Sequence, residues 1–471
     1  MKALRFCSIV IMFFALISAG YAQHPPEEVW NRVYDSGNDD VANGIAVDNV
    51  GNVYVAGYSY NGTNHDFRTI KYDSAGNIVW VRSYDAGSFE RAYGVAVDDD
   101  GNVYVTGSLY DGIGVNFCTI KYDKDGNIVW KRVCDSTSYE GARGIAVDRA
   151  GYVYVTGTSH IEEDQDIRTI KYDKDGNVVW NSLYDGGSDE YVHGIAVDNA
   201  GNVYVTGCLW NGIGCDYQTV KFDKDGNVVW QRIHDSGGCL HYEDAQGVAV
   251  DFAGNVYVTG FALEQTDKDE AYFRTIKYDR DGNVVWNKLF DSGLYNRASD
   301  IFVDNAGNVY VTGSSYNGKD YDFRTIKYDK DGNVIWSRLY STGENDYSSG
   351  VAVDDKGYVY VSGILYNGLD WDFCTIKYRQ SQLSGVEEER NVGNAEVIQE
   401  SNRVFVTYSL KSASMVDISV FNVLGSVVNK VSGYETEGEH SYTFDVPFSG
   451  VYFVKINMGS RIEIRKVVIM H

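Results

Sequence analysis

Short apolar runs alternate with turn residues along most of this chain. In residues 94–135, β-branched and aromatic residues fill 94–98, 103–107, 117–122 and 128–133, while Gly, Asn and Asp fill most of the breaks. Brief runs rich in Val, Ile, Tyr, Trp and Thr, bounded by Gly-Asn and Asp-Gly, are strands rather than helices. No helical period of useful length interrupts them. The four runs, a to d, predict four antiparallel strands, and the whole phrase recurs. Strand d returns with Trp30, Trp80, Trp130, Trp180, Trp230, Trp286 and Trp336, and five of the six spacings are 50 residues. Strand a returns at Gly44, Gly94, Gly144, Gly194, Gly247, Asp300 and Gly350. Four-stranded units repeated radially are the blades of a propeller.

The copies are offset at the ends. A strand d at 29–34 precedes the first strand a, and the last repeat stops after its strand c at 373–378. The N-terminal strand is therefore expected to complete the last blade, because an open ring would expose two sheet edges. The prediction is an all-β chain with a seven-bladed β-propeller of four-stranded blades over residues 28–380. The a–b and c–d turns are nearly uniform, as at 198–202 and 173–177, whereas the d–a and b–c connections vary. In an up-and-down blade the two variable connections emerge on one face. Variation on one rim over a uniform scaffold is how such a fold carries a site.

The phrase Gly201-Asn202-Val203-Tyr204-Val205-Thr206-Gly207, followed by Asp223-Lys224-Asp225-Gly226-Asn227-Val228-Val229-Trp230, resembles the SBBP β-propeller repeat family. The resemblance covers all seven repeats. It implies a propeller fold and often an extracellular setting, and no single activity.

The two ends differ from the repeats. Residues 1–22 read as a signal peptide, with Lys2 and Arg5, an apolar core at 6–17 and the small-residue site Gly20-Tyr21-Ala22. The apolar run is too short for a comfortable membrane span, so none is expected in the mature chain. Residues 381–394 read as a polar linker containing Glu387, Glu388 and Glu389. Residues 395–471 return to short strands, at 404–408, 416–421, 441–444, 451–456 and 463–470, and predict a small Ig-like β-sandwich. The phrases Ile418-Ser419-Val420-Phe421-Asn422-Val423-Leu424-Gly425, Gly450-Val451-Tyr452-Phe453-Val454-Lys455 and Lys466-Val467-Val468-Ile469 resemble the C-terminal sorting domain of the type IX secretion system. That resemblance implies the type IX secretion machinery as a partner and an extracellular or outer-surface destination.

Charge narrows the partners. With 41 Lys+Arg against 66 Asp+Glu, the net charge of −25 repels nucleic acid and anionic lipid. Six cysteines remain after the leader: Cys118, Cys134, Cys208, Cys215, Cys239 and Cys374. They share no repeat position and form no CxxC pair, so neither a disulfide framework nor a structural zinc site is expected. Cys208 and Cys215 flank one b–c loop and are either bridged across it or left as thiols. Cys118 and Cys374 occupy the strand-c position held elsewhere by Arg68, Arg168, Arg274 and Arg324.

Candidate ligand-binding residues lie on the variable rim: Tyr60, Tyr110, Trp210, Tyr316, Tyr366 and Trp371. Aromatic faces beside Asn and Asp suit sugar rings or extended peptides; equally, each ring can end its strand and pack on a neighbour. The repeated Asp-Lys-Asp-Gly-Asn has Gly fourth, not sixth as in a calcium loop, and reads as a hairpin turn. His160, His193, His234 and His241 are expected in variable loops, in no metal or nucleophile spacing. No catalytic, metal or cofactor motif appears. The leading expectation is an exported, non-catalytic module that binds an extracellular glycan or protein. The alternatives are a lyase or hydrolase with its site at the ring centre, and a purely structural surface protein.

Overall fold

The computed structural model describes residues 25–380, apart from 135–139, 162–163, 236–241, 265–269 and 293–294. It also describes 396–469, apart from 401–402, 411–413, 423–426, 447–449 and 459–460. All regular structure among these residues is β. The leader at 1–22 and the linker at 381–394 lie outside the described residues. The chain divides after Ser381 into two compact units.

The first unit holds seven four-stranded antiparallel sheets, arranged as propeller-like blades. Blades 1 to 7 are numbered by their strands a: Asp40–Val47, Glu90–Val97, Glu140–Val147, Glu190–Val197, Glu243–Val250, Asn296–Val303 and Asp346–Val353. Blade 2 continues with Val103–Tyr110, Val115–Tyr122 and Ile128–Cys134. Strand a thus begins four residues earlier than the apolar run at 94–98. A β-bulge between Ala92 and Gly94 absorbs Tyr93 and lets pairing continue back to Glu90. The stretch between strands b and c also contracts to a tight turn, because Tyr110 pairs with Val115 across it.

Each strand-d tryptophan docks on the following blade. The indole Nε1 of Trp80 donates to the carbonyl of Lys124 at 3.2 Å, and that of Trp130 to Lys174 at 3.1 Å. Trp180, Trp230 and Trp286 repeat this with Lys224, Arg280 and Lys330. For these five the acceptor is the c–d turn of the next blade. The Trp80 ring lies 6.3 Å from Tyr54 of its own blade and 6.2 Å from Tyr122 of the next. Arg82 stacks over Trp80 and donates to the Gly126 carbonyl at 2.7 Å.

The turn residues follow from this docking. Asp123 Oδ1 accepts the amides of Asp125 and Asn127, and Oδ2 accepts Asn127 Nδ2. These donors hold the Asp123 carboxyl below its ordinary range, the Asn127 side chain most strongly. The carboxylate is spent on its own hairpin. Gly126 has φ of 82°, and a Cβ there would sit 2.9 Å from Arg82 Nε. Glycine is thus required by the turn and by the neighbour's approach.

The N-terminal strand Glu27–Tyr34 pairs antiparallel with Trp371–Arg379 of blade 7. Its Trp30 donates to the Ser74 carbonyl of blade 1 at 3.2 Å. Trp336 meets no c–d turn in blade 7 and instead reaches the Gln380 side chain at 3.4 Å.

The second unit has two sheets. One orders Glu396–Glu400, Arg403–Leu410 and Gly438–Asp445; the other orders Val427–Glu435, Ser414–Asn422, Gly450–Met458 and Arg461–Ile469. Val404, Val406, Ile418, Val420, Val454 and Ile456 are wholly buried in one core. The apolar runs did not reveal Glu396–Glu400 or Val427–Glu435. The second is a sheet edge carrying Asn429, Lys430 and Ser432, so it lacks a continuous apolar stripe.

Two outcomes follow. Trp80→Ala should cost ~3–5 kcal/mol in a denaturant titration, through the cavity left between two blades. Deleting residues 29–34 should expose the edge of Trp371–Arg379 and cause aggregation or a large fall in melting temperature. A deletion variant that melts like the parent would show that the strand pairing carries no stability.

Candidate functional site

The ends of strands b, the starts of strands c and the d–a connections share one face of the blades. Tyr60, Tyr110, Trp210, Tyr316 and Tyr366 each end a strand b, and Trp371 opens the last strand c. The structure brings three of these six into one row. Tyr316 lies 5.1 Å from Tyr321, which lies 5.2 Å from Tyr347. Tyr347 lies 5.6 Å from Trp371, which lies 5.2 Å from Tyr366. The row passes from blade 6 to blade 7. Beyond it, the Trp371 amide donates to Asp39 at the edge of blade 1.

Tyr60 belongs to a second group around His65, at 5.6 Å, with Tyr58 at 5.0 Å and Phe89 of blade 2 at 5.9 Å. Arg91 stacks over Tyr58, and its Nη2 lies 3.3 Å from His65 Nδ1. Burial, followed by the Arg91 charge, lowers the His65 pKa, so the imidazole is held neutral and its Nδ1 accepts from Arg91. Tyr110 and Trp210 are exposed, at 38% and 37%, and Tyr110 adjoins the second group through Phe89, whose carbonyl accepts its amide at 3.0 Å. Trp210 pairs with Cys215 across its hairpin.

Tyr110 lines a cavity of about 400 Å³ with Phe89, Arg91, Tyr93 and Arg143. The Arg143 guanidinium sits 4.2 Å from the centroid of the Tyr93 ring. Two cations and three aromatic rings thus converge on one depression of a strongly acidic chain.

Tyr93 and Arg143 belong to a set that sequence reasoning missed. Every strand a carries a bulge at the residue before its Gly or Asp. The bulged residues are Asn43, Tyr93, Arg143 and His193 in blades 1 to 4, then Gln246, Ser299 and Ser349. All but Arg143 line one axial cavity of about 340 Å³. The glycines behind them let strands a of adjacent blades touch: a Cβ on Gly144 would sit 2.9 Å from Ile195, and one on Gly350 2.8 Å from Ile45. The available signal was a single variable position directly before a near-constant glycine. Asp300 replaces that glycine in blade 6 and accepts the amides of Ile301 and Val351. Burial pushes its carboxyl up to about 7.

Three histidines are not in loops. His160 lies within strand b of blade 3, His234 ends strand d of blade 4, and His193 is the bulged residue of strand a in blade 4. His193 Nε2 lies 3.1 Å from Asp244, which also accepts Gln246 Nε2. The register that places it there is set by Glu190 pairing with Leu209, well before the apolar run begins. His241 lies outside the described residues.

A larger cavity, about 660 Å³, opens among the uniform a–b turns and is lined by Asp148, Asp198, Asp251 and Asp304. Those carboxylates are taken by their own turn amides and by Tyr154, Tyr204, Tyr257 and Tyr310. Its chemistry is that of the turns, so size alone does not make it the site. Cys208 and Cys215 are buried thiols with sulfurs 2.8 Å apart. Among the described residues no helix is long and apolar enough to cross a membrane.

Comparison with known proteins bears on both units. A family model described as the β-propeller repeat matches residues 35–64, 91–108 and 335–363. A model described as outer membrane protein assembly factor BamB matches 116–317. The secretion system C-terminal sorting domain matches 400–470. No curated protein matches the chain. Among solved structures, a polysaccharide lyase of the PL25 ulvan lyase family aligns with a TM-score of 0.50 at 11% identity, over 74% of this chain and 96% of its own. The polysaccharide lyase Uly1 aligns with a TM-score of 0.50 at 10% identity, over 77% and 92%. At such identity the likeness is one of fold. The chain carries repeats of the SBBP β-propeller family and ends in a type IX secretion system sorting domain.

Proposed function

We propose that this protein is exported and binds a glycan bearing acidic groups on the variable face of a closed seven-bladed ring. In this reading residues 28–380 form the ring and the N-terminal strand closes it. Residues 395–471 are an Ig-like sandwich that presents the chain to the type IX machinery after loss of 1–22. The pairing of Glu27–Tyr34 with blade 7 and the Trp30–Ser74 bond support the closure. The sorting-domain match supports delivery to the cell surface or medium.

The observation that carries the binding reading is the cavity formed by Phe89, Arg91, Tyr93, Tyr110 and Arg143. Aromatic faces stack on sugar rings, and a guanidinium pairs in a bidentate way with a carboxylate or sulfate. The Tyr316, Tyr366 and Trp371 row offers a second stacking surface, with Tyr60 beside Phe89 and Trp210 as a separate exposed ring. In this reading binding needs no catalysis and no cofactor.

A second reading, a polysaccharide lyase, draws on one placement. Tyr93, Arg143 and His193 occupy equivalent bulge positions in three successive blades, and Tyr93 and His193 line the axial cavity. Elimination from a uronate needs a cation at the carboxylate and groups to take and give protons. The lyases of similar fold make this reading worth testing.

Binding of the full mature chain to immobilised neutral, uronate and sulfated polysaccharides separates these readings. Arg91→Ala with Arg143→Ala should weaken retention on acidic glycans by about tenfold, or ~1.4 kcal/mol. Trp210→Ala and Trp371→Ala should weaken it without altering the melting temperature. Absence of binding to every glycan overturns the proposal, and release of an unsaturated uronate establishes the lyase. For export, removing residues 395–471 should leave the propeller unit folded inside the cell envelope. Surface proteolysis of intact cells that still degrades the truncated chain would show that these residues are not the export signal.

A further inference from the structure

The junctions between blades hold buried carboxylates that the proposed binding face does not use. In each, one acid comes from strand c of a blade, one from its d–a connection and one from the first residue of the next strand a. Asp66, Asp85 and Glu90 meet between blades 1 and 2, and Asp166, Asp185 and Glu190 between blades 3 and 4. In each triad one oxygen from every member lies within 4.8 Å of the others.

Blades 3 and 5 neutralise the acid that opens strand a. Glu140 pairs with Arg168 at 2.6 Å, and Glu243 with Arg274 at 3.3 Å. Both arginines occupy the same position of strand c in the blade that the acid opens. In blades 2 and 4 that position holds Cys118 and Gln218. Glu90 and Glu190 therefore have no arginine, although both are 0% exposed. Glu90 Oε1 accepts the Ser88 amide and Glu190 Oε1 the Gly186 amide, while Oε2 of each receives no hydrogen bond. Burial and the neighbouring aspartates raise both carboxyls, Glu190 to about 8. A buried carboxylate with one oxygen lacking a donor and with no counter-charge is costly to ionise.

We propose that these two triads bind divalent cations of the calcium type, which replace the missing arginines and tie blade 1 to blade 2 and blade 3 to blade 4. The donors are all hard oxygens, with no imidazole or thiolate, as calcium prefers. Asp85 and Asp185 are exposed and give the ion a path from solvent. A third acidic group, Asp35, Asp40 and Asp372, is not included. There Ser36 and Ser59 already donate to Asp40, and although burial raises its carboxyl, those donors and the Arg68 charge offset part of the rise.

The test is calcium titration of the chelator-stripped full chain, followed by calorimetry and thermal melting. At calcium about tenfold above the 10⁻⁴–10⁻³ M range of extracellular modules, the melting temperature should rise by roughly 3–6 °C, with about two ions bound. Glu90→Gln with Glu190→Gln should abolish the rise and melt at or above the stripped parent. Cys118→Arg with Gln218→Arg, which installs the arginine of blades 3 and 5, should also remove the response. No rise in the parent, or a rise that survives in the folded Glu90→Gln and Glu190→Gln variant, overturns the proposal.

Discussion

The bond from a strand-d indole to the c–d turn of the next blade, made by every repeated tryptophan except Trp336, is the contact on which the first unit depends. A single blade buries only one face, and its core is completed by its neighbour. The tryptophan supplies apolar area between two tyrosines, while its N–H fixes the height at which the next blade sits. The same turn carbonyls receive the strand-d arginine and, in several blades, the strand-c lysine, as Lys124 does from Lys71. One short turn is thus an acceptor for several donors of the preceding blade. Its Asp, Gly and Asn cannot drift without loosening two blades together.

That constraint explains the division between the faces. The c–d and a–b turns spend their carboxylates on internal amides and on tyrosine hydroxyls, and so they are chemically quiet. The opposite face has no equivalent duty. Its hairpins close on whichever pair suits the cross-strand contact: Tyr60 with His65, Tyr110 with Val115, Trp210 with Cys215. Bulges in strands a then turn one residue per blade out of the ladder near the axis. Because the bulge removes that residue from pairing, its side chain is free to vary among Asn, Tyr, Arg, His, Gln and Ser while the glycine behind it stays.

The buried acids show the same logic inside the junctions. Where the d–a turn is described, the first residue of strand a accepts hydrogen bonds from it, and an acid or amide stands at that position in every blade. What balances its charge is not part of the repeat: arginine in blades 3 and 5, and serine hydroxyls in blade 1. Packing sets the position of the acid, while its counter-charge is chosen blade by blade.

The sequence by itself determined the all-β class, the length and order of the repeats, the turn residues and the sorting-domain phrases. Each of these is local: a strand or hairpin is specified by neighbours within a few residues, and repetition makes the signal plain. The tertiary structure alone decided which distant residues meet. Trp80 and Lys124 are 44 residues apart, and Tyr347 and Trp371 come from different strands. Tyr93 and Arg143 stack across blades although the sequence places them in separate repeats. The bulge that turns His193 toward the axis leaves no mark in apolar alternation, because it shifts register by one residue within a continuing strand. Six aromatics were legible as rim residues from their place beside variable turns, but which of them form a row depends on how one blade leans on the next.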